Sequence, residues 1–416
     1  MPIKEVKISI DRLEVGMYVS HLDRPWINTS YLMEGILIQT DEDISKLKKQ
    51  CSYVYVDLEQ GISPNARYWA SGNENEMTLN DNNSSIFDNN PANNFEHYRQ
   101  CIYETTTELE EELKVAKVAF DDIADKTRNV FEDLKNNKKL DIVSLKLGVK
   151  STINSIIRNP SAMTLLVQLR KSDDYSYSRA LGTSVWCAQF GRHLGLSKED
   201  ITLLSLGGLL LDVGKLELPE KLINNSSKYS QEDLDATKFH VSLGMKMLKK
   251  ATNVERLLLE MVATHHERAD GSGYQLGLIN DKIPLFGRIA GIVDSYDAMT
   301  SKKLHTSGLF TPHEAMNELY KMRGIQFQAE LVEQFIQTVG LYPTGSLVEL
   351  NTGEVGVITE INDLKRLHPT IMLLLEANKQ PYDEFAIVNL SEVEGMKVAK
   401  GLESGAYGIK MKELFI

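Results

Sequence analysis

The feature that most constrains this fold is a polar, asparagine-rich stretch between residues 62 and 94. Its runs 73–75, 80–85 and 89–91 contain only polar residues and one proline. Such a composition buries too little surface to offset the entropy of ordering the backbone, so a disordered linker is predicted here. A chain of 416 residues is long enough for two or three domains, and the linker separates residues 1–61 from the rest.

Different patterns flank the linker. Before it, apolar and polar residues alternate around Val6, Ile8 and Ile10, which is typical of half-buried strands. Residues 1–61 are therefore predicted to form a small α+β module. After the linker, residues 95–149 carry apolar side chains at spacings of three and four, which predicts a helical connector. Such a helix could join the module to the following domain or pair with a second copy in a homodimer.

Helix signals are densest between residues 150 and 340. Ser197 and Ser230 each precede an acidic residue by three positions, as in capping boxes, and each opens an apolar run. Residues 341–416 have a strand-like texture interrupted by turn residues, which predicts a small β-barrel or meander. The predicted fold class is mainly α, with a small α+β module before the helical domain and a small β-rich region after it.

Composition excludes several classes of protein. A net charge of −12 makes general binding to nucleic acids unfavourable. The three cysteines form no closely spaced pair, so neither a disulfide framework nor a zinc ribbon is expected. No signal sequence opens the chain, and the apolar run from Leu203 to Leu211 is far shorter than the ~20 residues of a membrane span. These features predict a cytoplasmic protein without a membrane span.

Four segments of the helical region carry residues that could bind a metal. Asp212 lies in an apolar run, and a buried carboxylate must be paired or coordinate a cation. His265 and His266 end a helix-like run before a glycine-rich turn, where two adjacent side chains can reach one site. His240 and Asp294 stand in the other two segments. Imidazole with carboxylate suits Fe, Mn or Zn, although a lone histidine is more often a structural residue.

The order and spacing of these segments, above all the string from His265 to Tyr274, resemble the HD-GYP branch of the HD phosphohydrolases. The resemblance covers roughly residues 150–340, and residues 1–61 resemble the small domain often fused in front of HD-GYP domains. It implies a helical HD-type domain that binds two or three metal ions, usually iron or manganese, and hydrolyses cyclic di-GMP. In that family the metals activate water and clamp the phosphate.

The resemblance also implies roles for individual residues. The residues that match the family's metal ligands are Asp212, His240, His265, His266 and Asp294. Asp212 and Lys215 match catalytic positions, and the lysine would face the phosphate. The residues that match dinucleotide-binding positions are Lys215, Gly273, Tyr274 and Lys303, the last standing where the family usually has an arginine.

Three positions depart from the family pattern. Leu211 replaces the histidine of the HD pair, Arg179 replaces a histidine of the first helix, and Gln275 replaces the proline of GYP. Neither a leucine nor a protonated guanidinium can ligate a metal. The two missing histidines would share one metal with Asp212 and Asp294, so that metal site is expected to be lost.

The second set of ligands, which consists of Asp212, His240, His265 and His266, is complete. The expected cofactor is therefore one transition metal, iron or manganese, or none. Arg179 is expected to pair with Asp212 and Asp294 in place of the lost metal, because its planar fork suits two carboxylates. The alternative is that Arg179 points into solvent.

Two functions are compatible with these residues. The paired loss of histidines favours a degenerate HD-GYP protein of cyclic di-GMP signalling, with weak or no phosphodiesterase activity, that acts as a binding or regulatory module. Its partners would be cyclic di-GMP or a related dinucleotide, or another signalling protein. The retained ligand set and Lys215 favour the alternative, an active metal-dependent phosphodiesterase with a reduced metal site.

Limited proteolysis of the native chain is predicted to cut first within residues 62–94, because a segment without a core is the preferred site of nicking. Mass spectrometry of the first fragments locates the cut. First cuts within residues 150–340 would show that the predicted domain boundary is wrong.

Overall fold

The structure is a computed structural model, and its described residues fall in thirteen ranges. These are 5–22, 35–38, 40–49, 51–57, 101–136, 138–169, 175–219, 222, 230–252, 254–301, 310–362, 367–403 and 405–411. The predicted linker at 62–94 and Lys303 lie outside them. The chain divides into two units, a smaller one that contains the N-terminal residues and a larger one that contains the helical region.

The smaller unit contains a four-stranded antiparallel sheet with the strand order β1-β4-β2-β3. Its elements are β1 (Glu5–Ser9), β2 (Tyr18–Leu22), β3 (Ile36–Leu37), α1 (Asp41–Lys48) and β4 (Tyr53–Asp57). Ile8 pairs with Val54, and Val19 with Val56, and all four side chains are buried. A capping box between Thr40 and Asp43 begins α1.

The larger unit is mainly helical. Its helices are α2 (Leu109–Lys135), α3 (Ile142–Arg158), α4 (Pro160–Leu169), α5 (Tyr175–His193), α6 (Lys198–Leu210), α7 (Gln231–Thr237), α8 (His240–Lys250), α9 (Arg256–Thr264), α10 (Leu285–Thr300), α11 (Pro312–Met322) and α12 (Ala329–Val339). None of the helices in the described part of the chain is long and apolar enough to cross a membrane.

Helices α2 and α3 form an antiparallel hairpin. Arg158 at the end of α3 makes a bidentate ion pair with the buried Glu112 at the start of α2, at 2.7 and 2.8 Å. Gly148 in the middle of α3 faces Ile123. A Cβ at position 148 would lie too close to the Ile123 side chain unless that side chain moved. The hairpin packs against α4, so these helices are part of the larger unit's core.

Helix α5 lies at the centre of the helical domain, where it contacts α3, α4, α6, α10 and α12. Edge-to-face aromatic contacts fix it against two of them. The ring centroids of Trp186 and Tyr296 of α10 are 5.5 Å apart, and those of Phe190 and Phe335 of α12 are 5.2 Å apart. Tyr296 and Phe335 contact each other at 5.4 Å. Because these contacts fix α5 beside α10, charged residues on their facing sides are brought together inside the protein.

The C-terminal region is a five-stranded antiparallel sheet with the strand order β8-β7-β6-β5-β9. Its strands are β5 (Leu347–Leu350), β6 (Val355–Glu360), β7 (Thr370–Leu375), β8 (Pro381–Asn389) and β9 (Val398–Leu402). Leu347 and Val355 of this sheet share a core with Leu165 and Leu169 of α4. The predicted fold class, mainly α with a small α+β module and a β-rich C-terminal region, is confirmed.

Candidate metal centre

Three segments of the helical domain bring four potential metal ligands together. Asp212 follows the end of α6, His240 is the first residue of α8, and His265 and His266 follow the end of α9. The turn after Asp212 can approach α8 because residue 214 is a glycine, where a Cβ would meet the backbone carbonyl of His240. Local backbone contact therefore brings two of the three segments together.

Asp212, His240, His265 and His266 each offer one ligand atom, and these four atoms lie within 4.8 Å of one another. Asp212 Oδ1 and His265 Nε2 are buried and accept or donate no hydrogen bond among the described residues. A buried polar atom without a partner is costly, and two such atoms in one cluster are suited to share a bound cation. The donor set, three imidazoles and one carboxylate, fits a divalent transition metal.

Backbone carbonyls orient two of the imidazoles. His240 Nδ1 lies 2.7 Å from the carbonyl oxygen of Thr237, and His265 Nδ1 lies 2.7 Å from that of Val262. Because a carbonyl only accepts, each Nδ1 carries the proton and each Nε2 presents a lone pair. His266 Nε2 lies 3.2 Å from His240 Nε2, so the lone-pair positions face one region.

The electrostatic environment keeps all four side chains in the protonation state that can bind a metal ion. Burial lowers the pKa of His265 to about 4 and also lowers the pKa values of His240 and His266, so the three imidazoles are neutral. Burial raises the pKa of Asp212, but Lys215 and Arg179 outweigh it and hold that pKa well below its usual value. Lys215 Nζ donates to Asp212 Oδ2 at 2.6 Å. The pocket therefore contains a carboxylate and neutral imidazoles at neutral pH.

The resemblance implies Asp294 as a ligand of the metal site that is expected to be lost, and Asp294 lies beside Arg179, its expected partner there. Its carboxylate pairs with Arg179 Nη2, and its Oδ2 lies 4.0 Å from His266 Nδ1. The group of four ligand atoms does not include it. Asp294 of α10 therefore borders the cluster, where it pairs with Arg179 of α5.

Arg179 is buried, with 6% of its surface exposed, so the alternative that it points into solvent does not apply. Its Nη2 also donates to the carbonyl of Asp294 at 3.2 Å, and its Nη1 lies 3.8 Å from Asp212 Oδ2. Its Nε donates to Asp297 Oδ2 at 3.2 Å. One guanidinium thus faces three carboxylates, including the two that the sequence predicts.

Asp297 was not predicted as a site residue. It lies three residues after Asp294 on α10, a spacing that places both carboxylates on one face of a helix. Its Oδ2 also accepts a hydrogen bond from Ser301 Oγ at 3.3 Å. The helical spacing was the signal that could have identified it.

The remaining predicted residues surround the cluster. Leu211 is 1% exposed and packs into the apolar core beside Asp212. The ring of Tyr274 stacks on that of His266 with 4.5 Å between centroids and 24° between planes. Gly273 lies so close to the backbone of residues 266–268 that a Cβ would clash. Gln275 has a φ of +97°, which proline cannot adopt.

Glu267 is a second residue that sequence reasoning missed. Its buried carboxylate accepts hydrogen bonds from the backbone N–H groups of Leu276 and Leu278, at 2.7 and 2.8 Å. These two bonds hold the loop after Tyr274 beside the histidine pair. A sequence pattern cannot show which backbone groups a carboxylate will reach.

Three known sequence families match successive parts of the chain. A domain of unknown function matches residues 5–144, an HD domain matches residues 157–331, and a KOW domain associated with the HD domain matches residues 347–407. The domain that carries the candidate metal centre is therefore an HD domain.

Similar proteins have been named for hydrolysis of cyclic dinucleotides. Cyclic di-GMP phosphodiesterase PA4108 of Pseudomonas aeruginosa is 26% identical over 377 residues, which is 90% of this chain and 86% of that protein. A cyclic di-GMP phosphodiesterase of Thermotoga maritima is 28% identical over 42% of this chain and 47% of its own length. The 3'3'-cGAMP-specific phosphodiesterase 2 of Vibrio cholerae is 26% identical over 47% of this chain and 36% of its own length.

Among solved structures, Bd1817, an HDG"Y"P protein from Bdellovibrio bacteriovorus, aligns with a TM-score of 0.46 and 18% identity. The alignment covers 80% of this chain and 98% of that chain. The domain of residues 157–331 is an HD domain, and the sequence relatives support the HD-GYP family for it.

Replacing Arg179 by methionine is expected to lower the free energy of unfolding by about 3–5 kcal/mol, because it leaves Asp294 and Asp297 buried without a cation. Urea unfolding with chelator present measures the change. Arg256→Met is the matched control, because Arg256 pairs with Glu260 on the surface and contributes little. Equal urea midpoints for Arg179→Met and the wild type would show that the buried ion pairs do not stabilise the fold.

Proposed function

We propose that the chain is a degenerate HD-GYP protein that binds cyclic di-GMP or a related cyclic dinucleotide and hydrolyses it weakly or not at all. It would act as a binding or regulatory module in signalling, with the dinucleotide or another protein as its partner. The observation that carries the proposal is the guanidinium of Arg179, which lies among the carboxylates of Asp212, Asp294 and Asp297. The named activities of the relatives support the class of ligand.

The intact half of the pocket favours one metal ion. Asp212, His240, His265 and His266 would hold it, and iron or manganese is the proposed identity. When bound, such an ion polarises a phosphate oxygen and lowers the pKa of water. The orphaned Asp212 Oδ1 and His265 Nε2 support this half of the proposal.

The other half favours binding over turnover. A guanidinium neutralises carboxylates and attracts phosphate, but it has no coordination site and stays protonated. Arg179 directs its nitrogen atoms to three carboxylates, and Leu211 offers no donor atom beside them. Residues at this end of the pocket can therefore compensate charge without activating water.

Four residues are proposed to contact the dinucleotide. Lys215 Nζ is partly exposed beside Asp212 and would face a phosphate. Gly273 and Tyr274 border His266, and the flat ring of Tyr274 offers a surface beside the ligand cluster. Lys303 is proposed for the same role from its sequence position alone.

A second function has support from a different observation. The four-residue ligand cluster is complete, and a single metal ion can activate water in mononuclear hydrolases. An active phosphodiesterase with a reduced metal site is therefore the alternative. Turnover measurements separate the two functions, because both predict binding of the dinucleotide.

Elemental analysis of protein purified with added manganese or iron is expected to find at most one metal ion per chain. His265→Ala should abolish tight binding, because it removes a ligand at the centre of the cluster. His313→Ala is the matched control, since His313 stacks on Tyr342 outside the cluster. Two or more tightly bound ions per chain would contradict the loss of one metal site.

The wild-type protein is expected to release linear dinucleotide or GMP from cyclic di-GMP very slowly or not at all. The double variant Leu211→His, Arg179→His should bind a second metal and raise turnover about a hundredfold, because a lost clamp of about 3 kcal/mol corresponds to that factor. Chromatography of the products measures the rate, and calorimetry with chelator present measures binding separately.

Each single variant serves as a control, because one histidine alone does not complete the second site. Turnover by the wild type that equals that of the double variant would show that Leu211 and Arg179 are not inactivating. Failure to bind cyclic di-GMP, 3'3'-cGAMP or related dinucleotides would overturn the binding proposal itself.

A further inference from the structure

The loop after His266 has a backbone conformation that a GYP sequence could not adopt. Gln275, at the third position of the motif, has a φ of +97°. The proline ring fixes φ near −65°, so the observed path requires a residue other than proline. A positive φ is unfavourable for a residue with a Cβ, and neighbouring contacts must therefore hold it.

The side chain of Gln275 supplies one such contact. Its Nε2 donates to the backbone carbonyl of Lys238 at 2.8 Å. Lys238 lies two residues before His240, so this bond joins the loop to the segment that carries another metal-ligand candidate. The side chain itself is exposed and does not belong to the ligand cluster.

Both neighbours of Gln275 are anchored on the other side, near His266. The N–H of Tyr274 donates to the carbonyl of His266 at 3.2 Å, and the N–H of Leu276 donates to Glu267 Oε1 at 2.7 Å. Gln275 therefore lies between two residues whose backbone N–H groups are hydrogen-bonded near His266. Its own side chain makes a hydrogen bond to Lys238 on the opposite side.

This arrangement places the ring of Tyr274 against His266. The two rings are nearly parallel, with 4.5 Å between their centroids, and Lys238 Nζ lies 5.7 Å from the Tyr274 centroid. The ring of His265 also contacts that of His266, at 4.1 Å. The orientation of His266 therefore depends on a ring whose position follows from the loop.

We infer that Gln275 is a positioning residue, which holds Tyr274 against His266 and thereby fixes the orientation of a metal-ligand candidate. The effect of Gln275 on metal binding rests on the proposed metal centre. A metal ion bound there dissociates more slowly while the ring of Tyr274 covers His266. The positioning itself exists without metal, so the two can be tested apart.

The metal-free protein gives the first test. Diethyl pyrocarbonate acylates accessible imidazole nitrogens, and peptide mass spectrometry gives the rate at His266. Gln275→Gly keeps the backbone path but loses the bond to Lys238, and should raise the rate about fivefold, the factor for one hydrogen bond of about 1 kcal/mol. Gln275→Pro loses both the backbone path and the bond to Lys238, and it should raise the acylation rate of His266 further.

Leu276→Ala is the matched control, because Leu276 is exposed in the same loop and its backbone bond to Glu267 is kept. Its rate should equal that of the wild type. Thermal unfolding verifies that each variant is folded, and Gln275→Gly decides the test if Gln275→Pro does not fold. Equal His266 rates in the wild type and in the folded Gln275 variants would overturn the inference.

A double-mutant cycle tests the route through Tyr274. In a Tyr274→Ala background, replacing Gln275 should change the acylation rate of His266 no further, because the ring that it positions is gone. Additive effects would show that Gln275 does not act through Tyr274 and would overturn the inference.

Cobalt(II) supplies the second readout. Its visible absorption reports the ligand geometry, and release to excess chelator should be about fivefold faster in Gln275→Gly than in the wild type. Unchanged absorption and release would overturn the effect on the metal. A wild type that binds no cobalt would count against the metal centre, whereas the acylation rates still decide the role of Gln275.

Discussion

The helical domain depends on one buried interaction, the guanidinium of Arg179 among the carboxylates of Asp294, Asp297 and Asp212. Removing these charges from water is expensive, and the cost is offset only if each charge has a close partner of opposite sign. Arg179 is suited to this because its nitrogen atoms diverge in one plane and can serve several acceptors. The aromatic contacts between α5 and α10 keep the partners in place.

The same interaction divides the pocket into two chemically different halves. On one side, the carboxylates of Asp294 and Asp297 accept hydrogen bonds from Arg179. On the other, Asp212 Oδ1 and His265 Nε2 have no hydrogen-bond partner among the residues that the structure describes. Asp212 belongs to both halves, since Lys215 and Arg179 lie near one oxygen while His240 lies 3.3 Å from the other. This shared residue couples the charge balance of the halves.

The resemblance to the HD-GYP family implied the four residues of the ligand cluster and two of the acidic residues near Arg179. Asp297 was not predicted, because the family motif marks one acid in this segment, whereas the helix places Asp294 and Asp297 on one face. The positive φ of Gln275 could not be predicted, since local preference opposes it and only tertiary bonds to Lys238 and around Glu267 stabilise it. The fold class followed from periodicity, whereas packing partners such as Trp186 and Tyr296 required the structure.

The ion pairs of Arg179 also have a consequence for folding kinetics. Arg179 and Asp297 are separated by 118 positions in the sequence, so their contact closes a long loop. Local hairpins such as α2–α3 form at much lower entropic cost, and long-range contacts are generally completed after them. A stabilising contact that is absent from the folding transition state slows unfolding without accelerating folding. The ion pairs of Arg179 would then slow unfolding, and they would set how long the helical domain stays folded more than how fast it folds.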